Sequence, residues 1–386
     1  MIFDRTTAVM DFGTSKISTL IGKNTNYGVE YYGLGVCEYA GFRNGSWMAH
    51  QDLEESIFLS KKDAESQNRK RIKQVSVIIP GEWCLTCFVK AEVLTDDLSG
   101  KITQKDIDNL INAGIAQVNW PEDYTVINAQ PVVYLLDGLS RRLSPVGHHA
   151  RVIEAYISYT AVDMVFMQDI TEILDRLGIG VKEFIPSTDS IAKYISNHSS
   201  KKTNIVIDSG YYSTDLVICE EEKVISHRNI PIGGFHITSD LMVFLDKDIY
   251  TAELIKRNVA VGMDSLGLNK IMLDGKSGKI QFPVDKAQSV ITNRLNEIIS
   301  IVKGDAQRVG VEINNRCGVY ITGGGISRMQ GARGMCSKML GENINILKPT
   351  RPIQANVQYA SLCAGLDYVL DEDIKGISLK SFNKVK

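Results

Sequence analysis

Apolar positions along this chain recur with two periods, and the switches between them lay out its elements. Residues 6–22 and 28–37 read as strands, with a polar turn at Asn24–Asn26. Residues 51–66 are polar and helical, and Val75–Ile79 is a short apolar β-run that stops at Pro80-Gly81. From Trp83 to about residue 160 the texture changes. A strand-like run, Trp83–Val93, precedes Thr103-Gln-Lys-Asp106, the start of a capping box. Ile107, Leu110, Ile111, Ile115 and Val118 then repeat at helical spacing, and two strand-like runs follow around 125–135 and 151–159. Strand, helix, strand, strand is enough for one small compact unit. Residues 162–177 predict an amphipathic helix through Val162, Val165, Phe166, Ile170, Ile173, Leu174 and Leu177, stopped by Gly178. A strand through Phe184-Ile185 follows, and Pro186 opens the next helix.

At Asn204 the pattern begins again. Asn204-Ile-Val-Ile-Asp208-Ser-Gly210 repeats Ala8-Val-Met-Asp11-Phe-Gly13, about half the chain later. Each is a β-run ending in Asp-x-Gly, followed by small hydroxyl residues and another β-run. Two duplicated halves with a cleft between them are expected, because no low-complexity tract or long linker separates the copies.

Composition narrows the class. With 386 residues, 44% hydrophobic and 23% charged, the chain has the length of two or three domains and enough apolar content to bury large cores. A net charge of −2 gives no electrostatic case for nucleic acid. Seven cysteines are scattered, and the one Cys-x-x-Cys, Cys84 and Cys87, has no second pair at zinc-ligand spacing; free thiols in a reducing compartment are expected. The sequence shows no signal peptide and no apolar run long enough to span a bilayer, so a cytoplasmic protein with at most peripheral membrane contact is expected.

Four segments carry candidate chemistry. In Asp11-Phe-Gly13-Thr14-Ser15-Lys16 a strand ends in a carboxylate, glycine permits a tight turn, and backbone N–H groups can form an anion-binding nest. The carboxylate can hold Mg²⁺ through its water shell, and Lys16 adds a point charge. Alone, such a segment is a common β-hairpin. Asp208-Ser-Gly210-Tyr-Tyr-Ser213-Thr214-Asp215 has the same parts in the same order, and two facing hairpins would clamp a di- or triphosphate. Gly318-Val-Tyr-Ile-Thr322 runs into Gly323, Gly324 and Gly325, then Ser327 and Arg328; backbone without side chains allows close approach to a flat ligand. Neither a G-x-G-x-x-G nor a P-loop is present. Glu253 and Lys256 lie three apart on one helix face, a spacing that solvated salt bridges share.

Taken together and in this order, these segments resemble the actin-like ATPases. Asp11–Lys16 is similar to that group's first phosphate loop, Asp208–Asp215 to its second and Gly323–Gly325 to its adenosine loop, while Glu253 and Lys256 resemble the charged pair that touches the nucleoside. Within the group the likeness is to FtsA. It rests on the insertion at 83–160, on Ile102-Thr-Gln-Lys-Asp106, on Pro131-Val-Val-Tyr134-Leu-Leu-Asp137 with Pro145-Val-Gly147, and on Pro231-Ile-Gly233-Gly234-Phe-His-Ile-Thr238-Ser-Asp240. The resemblance implies an α/β actin-like ATPase fold of two duplicated halves with a nucleotide cleft. It implies ATP with Mg²⁺ as cofactors, Asp11 and Asp208 nearest the metal, and Asp208 as the catalytic group. Nucleotide contacts are expected from Gly13, Thr14, Ser15, Lys16, Gly210, Ser213, Thr214, Gly233, Gly234, Glu253, Lys256, Gly323, Gly324, Gly325 and Arg328. Two departures predict slow hydrolysis, at most that of a slow ATPase. Tyr211-Tyr212 stands where FtsA usually has two glycines, and Ile185 stands where chaperone ATPases carry a glutamate before Pro186.

The expected subdomains are 1–82 with 161–200 (1A), 83–160 (1C), 201–233 with 285–370 (2A), 234–284 (2B) and a tail, 371–386. By resemblance the chain is a filament-forming division scaffold at the inner face of the membrane. It would join FtsZ filaments to that membrane and recruit later division proteins. The FtsZ C-terminal tail is expected on 2B, where Lys247, Lys256, Arg257, Lys270, Lys276 and Lys279 border Met263, Leu266, Leu268, Ile271 and Met272. The membrane anchor that FtsA carries is not evident in the tail Ile374–Lys386, which is basic, short and broken by a glycine. A PilM-like pilus scaffold and a small-molecule kinase of the same superfold are the alternatives.

Overall fold

The computed structural model describes residues 6–375 apart from 27, 40–41, 44–45, 48–49, 69–70, 263–269, 276–277 and 350–355. The chain opens with β1 (Thr7–Phe12), β2 (Lys16–Thr25), β3 (Gly28–Glu38), a small ribbon of β4 (Phe42–Arg43) and β5 (Ser46–Trp47), α1 (His50–Asn68) and β6 (Gln74–Ile79). Next come β7 (Cys84–Leu94), α2 (Gln104–Ile115), β8 (Tyr124–Leu136), β9 (Ser140–Arg142) and β10 (Val152–Asp163), then α3 (Met164–Arg176), β11 (Gly180–Pro186) and α4 (Ser187–Ser196). The later part holds β12 (Thr203–Ser209), β13 (Thr214–Glu220), β14 (Lys223–Ile230), α5 (Gly234–Leu245), α6 (Ile249–Asn258), β15 (Lys270–Gly275) and β16 (Gly278–Pro283). It ends with α7 (Val284–Arg308), β17 (Cys317–Thr322), α8 (Ala332–Leu340), β18 (Asn345–Ile346) and α9 (Ala360–Lys375).

The duplication is visible in the sheets. The first is ordered β11-β6-β1-β2-β3 and the second β14-β13-β12-β17-β18. In each, an antiparallel meander is extended from its first strand by parallel neighbours, β6 and β11 in one copy, β17 and β18 in the other. β1 and β12 are buried almost end to end because both faces of their sheets are covered, which explains their unbroken apolar runs. On one face of the first sheet Met10, Phe12 and Val77 pack with Leu53 and Ile57 of α1 and Phe166 and Ile170 of α3. On the other, Val9, Leu20, Ile78 and Ile185 pack with Leu362, Cys363 and Leu366 of α9. The last helix therefore completes the first half. Ile191 and Ile195 of α4 share a core with Val206 and Val217 of the second sheet, so α4 and α9 fill the layer between the halves.

β7, β10, β8 and β9 form a separate sheet in that order, with α2 packed on it through Ile107 and Leu110. The capping box is formed: Thr103 accepts from the Asp106 N–H, and Asp106 accepts from the Thr103 N–H at 2.7 Å. This sheet is tied to the core by polar bonds. Ser158 donates to the Val224 carbonyl, and Asn128 (2.7 Å) and Thr160 (3.0 Å) both donate to the carboxylate of Asp189 on α4.

One expected helix is shorter than its periodicity suggests. Val162 is the penultimate residue of β10, and Asp163 caps α3 by accepting from the Phe166 N–H at 2.9 Å. Val165 points to solvent, 55% exposed. A buried strand that runs straight into an amphipathic helix presents a continuous apolar string, and only the cap marks the boundary. Gly178 follows the helix at φ 68°, as a terminating glycine does.

Candidate functional site

The two repeated hairpins meet in the cleft between the halves. A cavity of about 640 Å³ there is lined by Asp11, Gly13, Thr14, Ser15 and Lys16 from the first copy and by Asp208, Gly210, Ser213 and Asp215 from the second. Gly323, Gly324, Gly325 and Arg328 line it from the turn after β17, and Gly234, Glu253, Lys256 and Arg257 from α5 and α6. Asp11 sits near the end of β1 and Asp208 near the end of β12, equivalent strands of the duplicated sheets. Asp215 pairs with Asp208 across β12 and β13, so both side chains leave the same face.

Two expected contacts are not part of this lining. The Thr214 hydroxyl is turned inward, donating to the Ile232 carbonyl at 2.7 Å, and the residue is fully buried. Gly233 packs on the second hairpin instead: a Cβ there would lie 2.6 Å from the Tyr211 carbonyl oxygen. Its N–H donates to His236 at the start of α5.

Charges in the cavity are shifted by enclosure. Burial pushes Asp11 up to about 6 against the pull of Lys16. It pushes Asp208 up to about 7, opposed by a hydrogen bond from Ser361 and reinforced by Asp215 and Asp11. It brings Lys16 down to about 8, with Asp11 acting the other way. Lys16 lies 4.5 Å from the centre of the Tyr359 ring. On α6, Lys256 is not a solvated residue: 3% of its side chain is exposed, and it donates to the Gly234 carbonyl and the Thr238 hydroxyl, both at 2.9 Å, and to Glu253 at 2.6 Å. Glu253 also accepts from Thr238 and Arg257, each at 2.7 Å. The pair therefore pins α6 to the start of α5, and Lys256 cannot belong to an exposed basic rim. Met263, Leu266, Leu268 and Lys276 of that expected rim lie outside the described residues, as do the side chains of Lys270 and Ile271. Lys279 and Met272 are exposed.

Several lining residues carry no local sequence signal. Gln358, Tyr359 and Ser361 come from the approach to α9 and its first turn; Gln358 accepts from Arg328 at 2.9 Å. Glu82 comes from a 3₁₀ turn after β6, and burial, then Asp215, pushes it up to about 8. Tyr211 lines the cavity, and its ring meets those of Tyr212 (4.8 Å between centres) and Phe235 (5.3 Å) at the mouth.

Comparison with known proteins agrees with this architecture. Solved structures of similar fold include a PilM-PilN type IV pilus biogenesis complex (TM-score 0.68, 13% identity, 94% of this chain and 98% of that one). Another is MreB 5 of Spiroplasma citri bound to AMPPNP (TM-score 0.52, 11% identity, 97% and 99%). Fold and duplicated cleft together define the actin-like fold. Residues 205–365 match the family model of the cell division protein FtsA, and residues 89–160 match that of the SHS2 domain inserted in FtsA. Curated FtsA proteins align along most of the chain. That of Neisseria meningitidis is 26% identical over 84% of this chain and 79% of its own length, and that of Pseudomonas aeruginosa 24% identical over 96% and 90%. The chain belongs to the FtsA family of cell division proteins.

Proposed function

We propose that this chain binds Mg-ATP between its halves and works as a nucleotide-dependent, filament-forming scaffold that links FtsZ filaments to the cytoplasmic membrane and recruits later division proteins. The observation that carries the reading is the convergence of both Asp-x-Gly hairpins and the triple glycine on one cavity. The hairpins hold the phosphates, Gly323–Gly325 and Arg328 lie against the adenosine, and Glu253 and Lys256 fix the helix beside it. Asp11 and Asp208 fit the metal. They are enclosed carboxylates whose raised proton affinity marks a need for positive charge. Two carboxylates suffice for Mg²⁺, an ion that keeps its waters and takes phosphate oxygens. When bound, it neutralises phosphate charge. Turnover falls well below the roughly 1–10³ s⁻¹ of metabolic enzymes.

The proposed subdomain division keeps 1A from 1–82 and 161–200, 1C from 83–160, 2A from 201–233 and 285–359, and 2B from 234–284, but moves 360–370 from 2A to 1A, because α9 packs its apolar face on the first sheet. Subdomain 1C contacts the next subunit in head-to-tail stacking. The FtsZ tail docks on 2B. Membrane contact is peripheral, at the division site; no helix among the described residues is long and apolar enough to cross a membrane. Calorimetric titration with Mg-ATP and, separately, with an FtsZ C-terminal peptide at low and high salt tests both halves of this reading. Millimolar Mg-ATP that neither binds nor raises the melting temperature refutes the nucleotide site. A peptide whose binding ignores both salt and charge reversal at Lys270 and Lys276 docks elsewhere.

A further inference from the structure

The first half lacks an acid at the place where one is expected. Ile185 is fully buried against α9 and pairs with Ile78 in the parallel ladder of β11 and β6. The neighbouring strand offers a carboxylate instead. β6 stops at Ile79, one residue beyond the partner of Asp11, and the chain turns through Pro80 into the 3₁₀ turn Gly81–Trp83. That turn is fixed from below: the Trp83 ring packs on Phe166 at 5.3 Å between centres, and the Cys84 thiol donates to the Pro80 carbonyl at 3.5 Å. It delivers Glu82 to the cavity wall, on the same wall as Asp11, Lys16 and Ser187.

Glu82 lies beside Asp215 of the other half. The two halves touch here so closely that a Cβ on Gly81 would lie 2.2 Å from Asp215 Oδ1. Asp215 is held in place: the same oxygen accepts from Asn229 at 2.9 Å and meets His227 Nε2 at 3.1 Å. Two carboxylates from opposite halves thus line the same cavity, one braced by β14 and one by the turn after β6.

Resting on the Mg-ATP reading above, we propose that Glu82 is the catalytic base of ATP hydrolysis in this chain and takes the place of the acid missing at Ile185. Water oxygen bonds to the γ-phosphorus, and the bond from that phosphorus to the β,γ-bridging oxygen breaks. ADP leaves with the electron pair, and the water proton passes to the Glu82 carboxylate and on to solvent. Asp215 accepts the second hydrogen of the same water and aims it. Burial supports the assignment: a glutamate near 8 is a stronger proton acceptor than an ordinary one and is about half ionised at pH 8.

The test uses the full chain at pH 8. Mg-ATP affinity is measured by calorimetry and phosphate release by single turnover, for the wild type, Glu82→Gln and Glu82→Asp. The expected result is Glu82→Gln with affinity within about threefold of wild type and release slowed by roughly 10²-fold or more. Glu82→Asp should fall between the two. If Glu82→Gln melts well below the wild type, Glu82→Asp alone decides, by slower release at unchanged affinity. Equal release rates in wild type and both variants overturn Glu82 and leave the nucleotide site standing, as does a loss confined to affinity. Wild type that binds Mg-ATP but releases no phosphate also overturns it. Wild type that binds no Mg-ATP overturns the nucleotide reading and this proposal together.

Discussion

Replacing Lys256 by methionine deletes a buried ammonium while nearly keeping the length of the side chain. The ammonium donates three hydrogen bonds, to Gly234, Thr238 and Glu253. Removing one partner of a fully buried ion pair costs about 3–5 kcal/mol. This pair falls below that range for two reasons. Glu253 is 26% exposed, and it keeps its bonds from Thr238 and Arg257 after the ammonium is gone. A loss of about 2–3 kcal/mol is the expected outcome. Urea unfolding without nucleotide, followed by circular dichroism, reads it as a lower midpoint at unchanged slope. A double-mutant cycle with Glu253→Gln should return a coupling of about 1 kcal/mol or more. A loss below about 0.5 kcal/mol with no coupling would refute the reasoning, because it would mean that desolvation of Lys256 cancels its attraction to Glu253.

The turn after β17 supplies a paired comparison. Gly323 has φ 80°, and a Cβ there would lie 2.3 Å from the Ser209 carbonyl oxygen and 2.4 Å from Asp208 Oδ1; at Gly324 the nearest atom is Gln358 Cβ at 3.6 Å. Gly323→Ala should therefore cost about 2–4 kcal/mol and Gly324→Ala under about 1, as thermal melting will show. A pH series isolates Asp208. Its folded value, about 7, exceeds its ordinary 3.8, so its contribution is full below the lower value and is lost as pH rises through the higher. In EDTA and without nucleotide, Asp208→Asn should thus gain melting temperature relative to wild type from pH 5 to pH 8, and a difference independent of pH would contradict the shift.

Local order and the duplication were legible along the chain because each follows from burial on a single element. A strand covered on both faces must be apolar throughout, as β1 and β12 are, and a helix must carry its stripe, as α2 does behind Thr103 and Asp106. The repeated Asp-x-Gly turns followed from the same logic, since the two ends of equivalent strands face one cleft. Only the fold decided which side chains reach that cleft. Thr214 and Gly233 belong to the right segments, yet one turns its hydroxyl inward and the other serves packing. Glu82, Gln358, Tyr359 and Ser361 reach it from a turn after β6 and from the approach to α9 and its first turn, far from either motif. Lys256 and Glu253 show the same limit: their spacing is that of any surface pair, and it is α5 packing over them that buries the ammonium. Periodicity records how much of an element is covered; it does not record what covers it.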